Sequence, residues 1–261
     1  MKAVILAGGY GTRLSEETSV RPKPMVEIGG RPIIWHIMKG YAAHGVDEFI
    51  VCCGYRGDVI KEYFLNYPRW QADFTVDVQT GDVALHRHAD ERWKVTLVDT
   101  GLKTMTGGRV RRIREHLDEG PFFLTYGDGV SDVDITKLLE FHREQQATVT
   151  LTAVQPPGRF GALVLDHGQS TIDSFTEKPP ADGGGEEAWI NGGFFVVETT
   201  ALDHIDGDET VWERGPLEKL AARRELKAYR HRGFWQPMDT LRDRHVLEDL
   251  WATGAAPWQV W

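Results

Sequence analysis

Met1-Lys-Ala-Val-Ile-Leu-Ala-Gly-Gly-Tyr-Gly-Thr-Arg-Leu14 decides the fold, because an apolar run leads directly into a group of glycines. Residues 3–7 predict a short buried strand, and the glycines of residues 8–11 predict a tight turn after it. A strand that ends in a glycine-rich turn brings backbone N–H groups close to a phosphate. Arg13 and then Lys23 supply the cations that a polyphosphate needs beyond those amides. The stretch therefore indicates a triphosphate substrate.

Two better-known nucleotide motifs do not fit these residues. A P-loop has four residues between its glycines, followed by Gly-Lys-Ser/Thr, and no such tripeptide follows here. A dinucleotide fingerprint, Gly-x-Gly-x-x-Gly/Ala, needs a small third residue, whereas Gly9-x-Gly11-x-x ends on Leu14. A plain tight turn would also explain the glycines alone, but the two cations favour phosphate binding.

Composition excludes several classes of protein. The chain has 261 residues, of which 41% are hydrophobic, which suits one large α/β domain or at most two small ones. A net charge of −9 argues against a nucleic-acid partner. There is no apolar run of membrane-spanning length, and the first residues read as a strand and not as a signal peptide. The adjacent Cys52 and Cys53 are expected to be core residues in a reducing compartment, and we expect a cytoplasmic enzyme.

The order of apolar segments predicts an α/β protein with a Rossmann-like, mixed, mostly parallel sheet flanked by helices. Predicted strands cover residues 3–7, 49–53, 74–78, 95–98, 122–126, 148–154, 162–166, 171–175 and 190–197. Predicted helices cover residues 32–44, 58–67, 110–117, 134–146, 216–224 and 241–251. We expect a single domain over 1–261, with a nucleotide-binding half over about 1–130. The β-rich second half, about 131–261, is expected to bind a sugar phosphate and to form oligomer contacts.

Two carboxylates are candidates for holding a metal ion. Asp128 lies between glycines just after a predicted buried strand, and ligands of open sheets bind at the carboxyl ends of strands. Asp239 is the natural second carboxylate, and Mg²⁺ takes one or two carboxylates together with phosphate oxygens and water. The alternatives are an Asp-Gly turn at Asp128 and a helix N-cap at Asp239.

The second half carries two candidates for sugar-phosphate contacts. Lys178, in Glu177-Lys-Pro179, would anchor a second anionic group, although an exposed ion pair is the alternative. Asn191-Gly192-Gly193 interrupts an apolar strand. Glycine within a strand indicates either close approach of a ligand or a β-bulge, and the Asn amide would bind a sugar hydroxyl.

The motifs occur together in the order found in sugar-1-phosphate nucleotidylyltransferases, which the chain resembles end to end. They are Gly8-Gly-x-Gly-Thr-Arg-Leu14, Pro22-Lys-Pro24, Gly127-Asp128, Glu177-Lys-Pro179 and Trp235-x-x-x-Asp239. Further stretches are similar to the cytidylyl-transferring branch: Leu14-Ser-Glu-Glu-Thr18, Trp35-His-Ile-Met38, Cys52-Cys-Gly-Tyr55, Leu97-Val-Asp-Thr-Gly101, Met105-Thr-Gly-Gly-Arg109, Pro156-Pro-Gly-Arg-Phe-Gly161 and Phe234-Trp-Gln-Pro-Met-Asp-Thr-Leu-Arg-Asp243. The uridylyl and thymidylyl enzymes carry instead a Pro-Leu-Thr-like run after Arg-Leu.

The resemblance implies the nucleotidyltransferase, glycosyltransferase-A-like fold and the reaction CTP + α-D-glucose 1-phosphate ⇌ CDP-glucose + pyrophosphate, with Mg²⁺ as the cofactor. A uridylyl- or thymidylyltransferase acting on a sugar 1-phosphate is the alternative. The implied catalytic residues are Arg13, Lys23 and Asp128, with Asp128 and Asp239 as metal ligands. The implied sugar-phosphate residues are Glu177, Lys178, Asn191 and Gly192. The implied nucleotide-binding residues are Leu6, Ala7, Gly8, Gly9, Gly11, Thr12, Arg13, Lys23, Thr104, Met105, Gly107, Gly108, Arg109, Arg111, Tyr126 and Gly127.

The base-recognising part of the site is expected in the loop of residues 104–111. Gly107 and Gly108 would let the backbone approach cytosine closely, and Arg111 would reach the base carbonyl or the phosphates. The alternative is a turn that leads into a basic helix.

The aromatic-rich segment with Trp251, Trp258 and Trp261 predicts an interface between copies of the chain, because exposed tryptophans are enriched at interfaces. With the resemblance, this predicts a homo-oligomer of up to six chains. The alternative is that these tryptophans pack on the chain's own core.

Overall fold

A seven-stranded sheet, in the order β14-β10-β13-β8-β1-β4-β7, forms the centre of the computed structural model. The structure describes residues 1–18, 20–86, 91–155, 162–165, 172–176 and 189–261, without the side chains of residues 13, 15, 16, 162–165 and 172–176. The strands are β1 (Lys2–Leu6), β2 (Glu27–Ile28), β3 (Arg31–Pro32), β4 (Glu48–Cys53), β5 (Phe74–Val76), β6 (Val83–Leu85), β7 (Lys94–Asp99), β8 (Pro121–Tyr126), β9 (Gly129–Ser131), β10 (Val149–Val154), β11 (Ala162–Leu165), β12 (Ile172–Thr176), β13 (Ile190–Glu198), β14 (Leu226–His231) and β15 (Trp235–Pro237). The helices are α1 (Ser15–Thr18), α2 (Ile33–Ala43), α3 (Gly57–Trp70), α4 (Thr106–Arg112), α5 (Ile135–Glu144), α6 (Pro216–Ala222) and α7 (Leu241–Ala252). Short 3₁₀ turns cover Thr12–Leu14, Lys23–Met25, Arg114–His116 and Thr199–His204.

The sheet is mixed and mostly parallel, which confirms the predicted fold class. Strands β14, β10, β8, β1, β4 and β7 run in one direction, and β13 runs antiparallel to both of its neighbours. Reversal of β13 has a consequence for function. Its first residues reach the same edge of the sheet as the carboxyl ends of β1, β4, β7 and β8.

Alternation along β1 divides the core into two layers. Ala3, Ile5 and Ala7 pack into the cluster that includes the apolar faces of α2 and α3. Val4 and Leu6 pack into the cluster on the opposite face of the sheet, with residues from α4 and α6. This period of two is what a strand buried on both faces requires. Helices therefore cover both faces, as predicted.

Local signals explain most helix boundaries. Pro32 stands immediately before α2, and Gly45, with φ +81°, follows its end. The Asp134 side chain accepts a hydrogen bond from Lys137 N at 3.0 Å at the start of α5. Thr240 makes the corresponding contact with Asp243 N at 3.2 Å at the start of α7. The alternative interpretation of Asp239 as the N-cap is therefore wrong, because Thr240 fills that position.

The helix predicted over 110–117 is wrong in its position. Helix α4 begins at Thr106 and ends at Arg112, and a separate 3₁₀ turn follows. Its start is fixed by a tertiary contact, in which Met105 N donates to Asp208 O at 2.8 Å. Strand β14 was not predicted, because this edge strand carries polar residues and lacks an apolar run.

The tryptophans that were expected to be exposed pack instead on the chain itself. Trp258 is 1% exposed, and Trp251 and Trp261 are only partly exposed. Their rings contact Trp35 or His36 of α2. The alternative prediction, packing on the chain's own core, is confirmed.

Cys52 and Cys53 are buried free cysteines, as expected for core residues. Burial raises the pKa of the Cys53 thiol to about 11 and also raises that of Cys52. Both thiols therefore stay protonated at neutral pH, which does not suit a reactive site. In the described residues, no helix is long and apolar enough to cross a membrane.

Candidate active site

A cleft of about 960 Å³ lies at the edge of the sheet where β1 and β8 end and β13 begins. Most of the residues predicted for substrate binding line it. They are Leu6, Ala7, Gly8, Gly9, Gly11, Thr12, Lys23, Thr104, Met105, Arg109, Tyr126, Gly127, Asp128, Asn191, Gly192 and Asp239. Three predicted residues do not line it, Gly107, Gly108 and Arg111, and three others, Arg13, Glu177 and Lys178, need separate treatment.

Lys23 joins the two predicted metal ligands. Its Nζ lies 2.7 Å from Asp128 Oδ2 and 2.6 Å from Asp239 Oδ1. The Lys23 side chain is 9% exposed, whereas those of Asp128 and Asp239 are 30% and 15% exposed. The two carboxylates therefore converge on one point at the cleft surface, where a cation already sits.

Backbone pairing fixes the separation of the two carboxylates. The strands β9 and β15 form an antiparallel pair in which Gly129 pairs with Pro237, and Met238 N donates to Asp128 O at 2.7 Å. The Asp243 carboxylate accepts from Asp239 N at 3.1 Å. Although the two aspartates are far apart in sequence, they are held by one continuous hydrogen-bonded unit.

Two carboxylates that meet at one point in an open cleft suit a magnesium ion, which completes its coordination with phosphate oxygens and water. Among the described residues, no group of three or more His, Cys, Asp or Glu side chains could hold a metal by itself. The donor set therefore fits a metal that binds together with a phosphate-bearing substrate.

Arg109 lies beneath the glycine-rich turn and is 5% exposed. Its guanidinium donates to Gly8 O at 3.0 Å, to Gly101 O at 2.8 Å and to Thr100 Oγ1 at 2.7 Å. It also reaches Cys53 O at 3.2 Å, which lies at the end of β4. Burial lowers the pKa of Arg109, but its ordinary value is so high that it remains charged. Arg109 holds the ends of three strands together, so its donors are used by the protein.

The same contact gives Gly8 a role in packing, besides the predicted approach to a phosphate. A Cβ on Gly8 would stand 2.1 Å from Arg109 Nη1, and one on Gly54 would stand 2.4 Å from it. Both positions must lack a side chain because the buried guanidinium fills that space.

The structure does not place Gly107 and Gly108 beside the cleft, which corrects the predicted base-binding loop. Both lie inside α4, and a Cβ on Gly108 would stand 2.5 Å from Asp208 O. A Cβ on Gly107 would stand 2.8 Å from Thr210 O. These glycines admit a neighbouring backbone segment and not a base. Arg111 is exposed and donates to Asp206 O at 3.3 Å, away from the cleft.

For three predicted site residues, the structure does not describe the side chain. Glu177 and Lys178 lie outside the described residues. The backbone of Arg13 lies in the 3₁₀ turn Thr12–Leu14 at the rim of the cleft, but its side chain is not described.

Asn191 combines both interpretations of the glycine-interrupted strand. The pairing of β10 with β13 shifts register between Leu151 and Ala153, opposite this segment, so a bulge is present. Asn191 also lines the cleft, where its Nδ2 donates to the Tyr126 hydroxyl at 3.2 Å and its Oδ1 accepts from Gly193 N at 2.9 Å.

Sequence reasoning missed several residues at the site. Trp235 lines the cleft and donates from Nε1 to Gly192 O at 2.7 Å. Its place four residues before Asp239 was a usable signal. Thr106 also lines the cleft, and Glu213 lies behind it, in contact with both Tyr126 and Thr106. No motif marks Glu213 in the sequence.

Known proteins are similar to this chain in both sequence and fold. The chain is 56% identical to a glucose-1-phosphate cytidylyltransferase of Salmonella typhi, over the full length of both proteins. It is 42% identical to a probable glucose-1-phosphate cytidylyltransferase of Bacillus subtilis, again over the full length of both. Among solved structures, HddC from Yersinia pseudotuberculosis has the same fold, with a TM-score of 0.68 at 22% identity, covering 96% of this chain and 99% of that protein. The family described as "Nucleotidyl transferase" matches residues 2–235. This chain belongs to the nucleotidyl transferase family.

Proposed function

We propose that this protein transfers the cytidylyl group of CTP to α-D-glucose 1-phosphate, which gives CDP-glucose and pyrophosphate. The observation that carries the proposal is end-to-end identity of 56% with the Salmonella typhi enzyme of that name. The cleft supports it with a glycine-rich turn and a cation-binding pair of carboxylates that meet at one edge of the sheet.

In the proposed reaction, a phosphate oxygen of the sugar phosphate attacks the α-phosphorus of CTP. A new P–O bond forms in line with the α–β bond that breaks, and pyrophosphate leaves. The nucleophile is already ionised at neutral pH, so the site needs charge neutralisation and orientation more than a general base.

The residues of this chain divide that work. Backbone amides of the turn at 8–12 bind the β- and γ-phosphates. Lys23 faces the α-phosphate, where negative charge grows, and Arg13 binds the leaving pyrophosphate. Asp128 and Asp239 would hold Mg²⁺, which neutralises phosphate charge and orients the triphosphate. On the sugar side, Asn191 binds a hydroxyl, and Lys178 with Glu177 would hold the phosphate and another hydroxyl.

The proposal also includes assembly and compartment. We propose a homo-oligomer of up to six chains that works in the cytoplasm. The exposed hairpin β5–β6 supports assembly, because Phe74 and Val76 are 47% and 44% exposed and an isolated two-stranded hairpin is marginal in water. The buried free cysteines suit a reducing compartment. Sedimentation of a monomer at micromolar concentration would contradict the oligomer.

Pyrophosphate release is the test of the activity. The protein is incubated with Mg²⁺, glucose 1-phosphate and each of CTP, UTP, dTTP, ATP and GTP. We expect release with CTP, abolished by EDTA. Release mainly with UTP or dTTP would retain the mechanism and overturn the choice of base. No release with any nucleotide would overturn the activity.

A further inference from the structure

Glu213 lies behind the cleft and links two residues that line it. Its Oε1 accepts a hydrogen bond from the Tyr126 hydroxyl at 2.5 Å, and its Oε2 accepts from Thr106 Oγ1 at 2.8 Å. Tyr126 ends β8, and Thr106 begins α4. Glu213 does not itself line the cleft, so any effect it has on a substrate passes through these neighbours.

The carboxylate determines where the protons of its neighbours go. An ionised carboxylate only accepts hydrogen bonds, so the single proton of the Tyr126 hydroxyl must point to Glu213. Burial, together with the nearby negative charge of Glu213, raises the pKa of Tyr126, so this proton stays in place at neutral pH. Thr106 is fixed in the same way, because its oxygen accepts from Trp212 N at 2.9 Å while its proton goes to Glu213.

The direction of the Tyr126 hydrogen bond sets the orientation of the Asn191 amide. With its proton committed to Glu213, the Tyr126 oxygen is an acceptor for Asn191, and Asn191 Nδ2 donates to it at 3.2 Å. Gly193 N donates to Asn191 Oδ1 at 2.9 Å, which fixes the other end of the amide. The second N–H of Nδ2 has no partner within the part of the chain that the structure describes. Asn191 therefore offers the cleft a hydrogen-bond donor.

We propose that Glu213 is a positioning residue for the sugar phosphate, which it serves by orienting Tyr126 so that Asn191 donates an N–H to one hydroxyl oxygen of the hexose. This inference rests on the proposed function, because it assumes that a sugar 1-phosphate occupies the side of the cleft next to Asn191. It adds a residue from the turn before α6 to the determinants of sugar binding.

The Glu213→Gln variant tests the direction of these hydrogen bonds without changing the size of the side chain. A glutamine has one acceptor oxygen and one donor nitrogen, so it cannot accept from both Tyr126 and Thr106. We expect KM for glucose 1-phosphate to rise about tenfold, the effect of losing one well-formed hydrogen bond. We expect KM for CTP and kcat to change less than about threefold. Glu218→Gln is the matched control, because Glu218 is exposed and accepts a hydrogen bond from Gly215 N at 3.2 Å, away from Tyr126 and Thr106.

A double-mutant cycle separates positioning from general loss of structure. Tyr126→Phe removes the hydroxyl through which Glu213 acts, so Glu213→Gln should add little to KM for glucose 1-phosphate in that background. Thr106→Ser keeps the second hydroxyl and should restore wild-type behaviour relative to Thr106→Val. A merely structural role predicts a lower melting temperature with unchanged KM, or independent effects that add, and either result would overturn the inference.

Deoxy analogues of glucose 1-phosphate identify the hydroxyl that Asn191 binds. They also distinguish failure of this inference from failure of the proposed function. With 2-, 3-, 4- and 6-deoxyglucose 1-phosphates, one analogue should show a raised KM in the wild type and no further rise in Glu213→Gln. If the variant raises KM equally for all four analogues, the inference is wrong although the activity stands. If the wild type releases no pyrophosphate from CTP and glucose 1-phosphate, the proposed function itself fails.

Discussion

Lys23 Nζ lies 2.7 Å from Asp128 Oδ2, so this ammonium and one of the carboxylates assigned to the reaction neutralise each other before any substrate arrives. Asp239 makes the same contact from the other side at 2.6 Å. A divalent metal ion at these two carboxylates would be repelled by an ammonium in this position. The geometry therefore predicts that Lys23 leaves the carboxylates when a metal and a triphosphate bind. Its charge is then available to the phosphates.

The Lys23→Ala variant should lose most of its turnover. Lys23 faces growing charge on the α-phosphate in the proposed reaction, and removal of one preorganised donor costs on the order of 10²–10³ in kcat. Pyrophosphate release at saturating CTP measures this. Lys94→Ala is the control, because the Lys94 side chain is 78% exposed and pairs with Glu48 at 3.6 Å. An unchanged kcat in Lys23→Ala would refute the assigned role.

Removal of Lys23 should strengthen metal binding in the absence of nucleotide, although it weakens turnover. Because Lys23 competes for Asp128 and Asp239, the Lys23→Met variant should bind Mn²⁺ about tenfold more tightly, which corresponds to about 1.4 kcal/mol. Titration of free Mn²⁺ by electron paramagnetic resonance gives the dissociation constant without any turnover. An Asp128→Asn change in the same background should remove the gain. Equal or weaker Mn²⁺ binding in Lys23→Met would contradict the competition.

Arg109 should contribute to both stability and nucleotide binding. An Arg109→Met variant keeps most of the volume but leaves the carbonyls of Gly8 and Gly101 without a buried donor. We expect a loss of about 2–6 kcal/mol in the free energy of unfolding, since each of the two unsatisfied acceptors costs about 1–3 kcal/mol. KM for CTP should rise, because the turn after β1 loses its support. Urea unfolding with steady-state kinetics measures both.

The exposed Arg111→Met variant is the comparison for Arg109. Among the described residues, the Arg111 guanidinium makes a single hydrogen bond, to Asp206 O at 3.3 Å. It should leave both the unfolding free energy and KM for CTP close to wild type. A large rise in KM for CTP in Arg111→Met would restore Arg111 to the base-binding role that the structure does not support.

Gly108→Ala tests whether this glycine serves packing or base recognition. Its added Cβ would stand 2.5 Å from Asp208 O and 2.6 Å from Asp208 Cα, both backbone atoms. We expect a loss of about 1–3 kcal/mol in stability, which is typical of overpacking, and unchanged preference for CTP over UTP. Gly40→Ala is the control, because α2 has open space for a Cβ at that position. Gly254→Ala is unsuitable, since the positive φ of +67° there would itself strain an alanine. An altered base preference in Gly108→Ala would reinstate the loop interpretation.

The sequence could predict which residues meet at the cleft wherever topology decided it. Asp128 follows β8 and Gly8 follows β1, and carboxyl ends of parallel strands share an edge, so the sequence could place both at one edge, and the pairing of β1 with β8 brings them together. The position of α4 could not be predicted, because its start depends on Met105 N binding Asp208 O across about a hundred residues. The same holds for Glu213, whose partners Tyr126 and Thr106 come from distant elements that only the folded chain brings together.

The tryptophan segment was misjudged for a related reason. The sequence shows its aromatic residues but not the surface that receives them, which is the side of α2 around Trp35 and His36. His36 is 1% exposed, and its contacts fix its tautomer. Ile28 O only accepts, so Nε2 carries the proton at 2.9 Å, and Trp258 Nε1 only donates, so Nδ1 accepts at 3.3 Å.

This buried imidazole predicts how stability depends on pH. Burial lowers the pKa of His36 to about 4, below the unfolded value of 6.5. Between these values the unfolded chain binds a proton that the folded chain does not, so its contribution to stability is complete above pH 6.5. That contribution is lost as pH falls through 6.5 towards 4, up to about 3 kcal/mol at about 1.4 kcal/mol per pH unit. Urea unfolding of wild type and His36→Gln over this range should give a flatter profile for the variant. The exposed His245→Gln should follow the wild type, and parallel profiles for His36→Gln and wild type would show that His36 does not cause the loss.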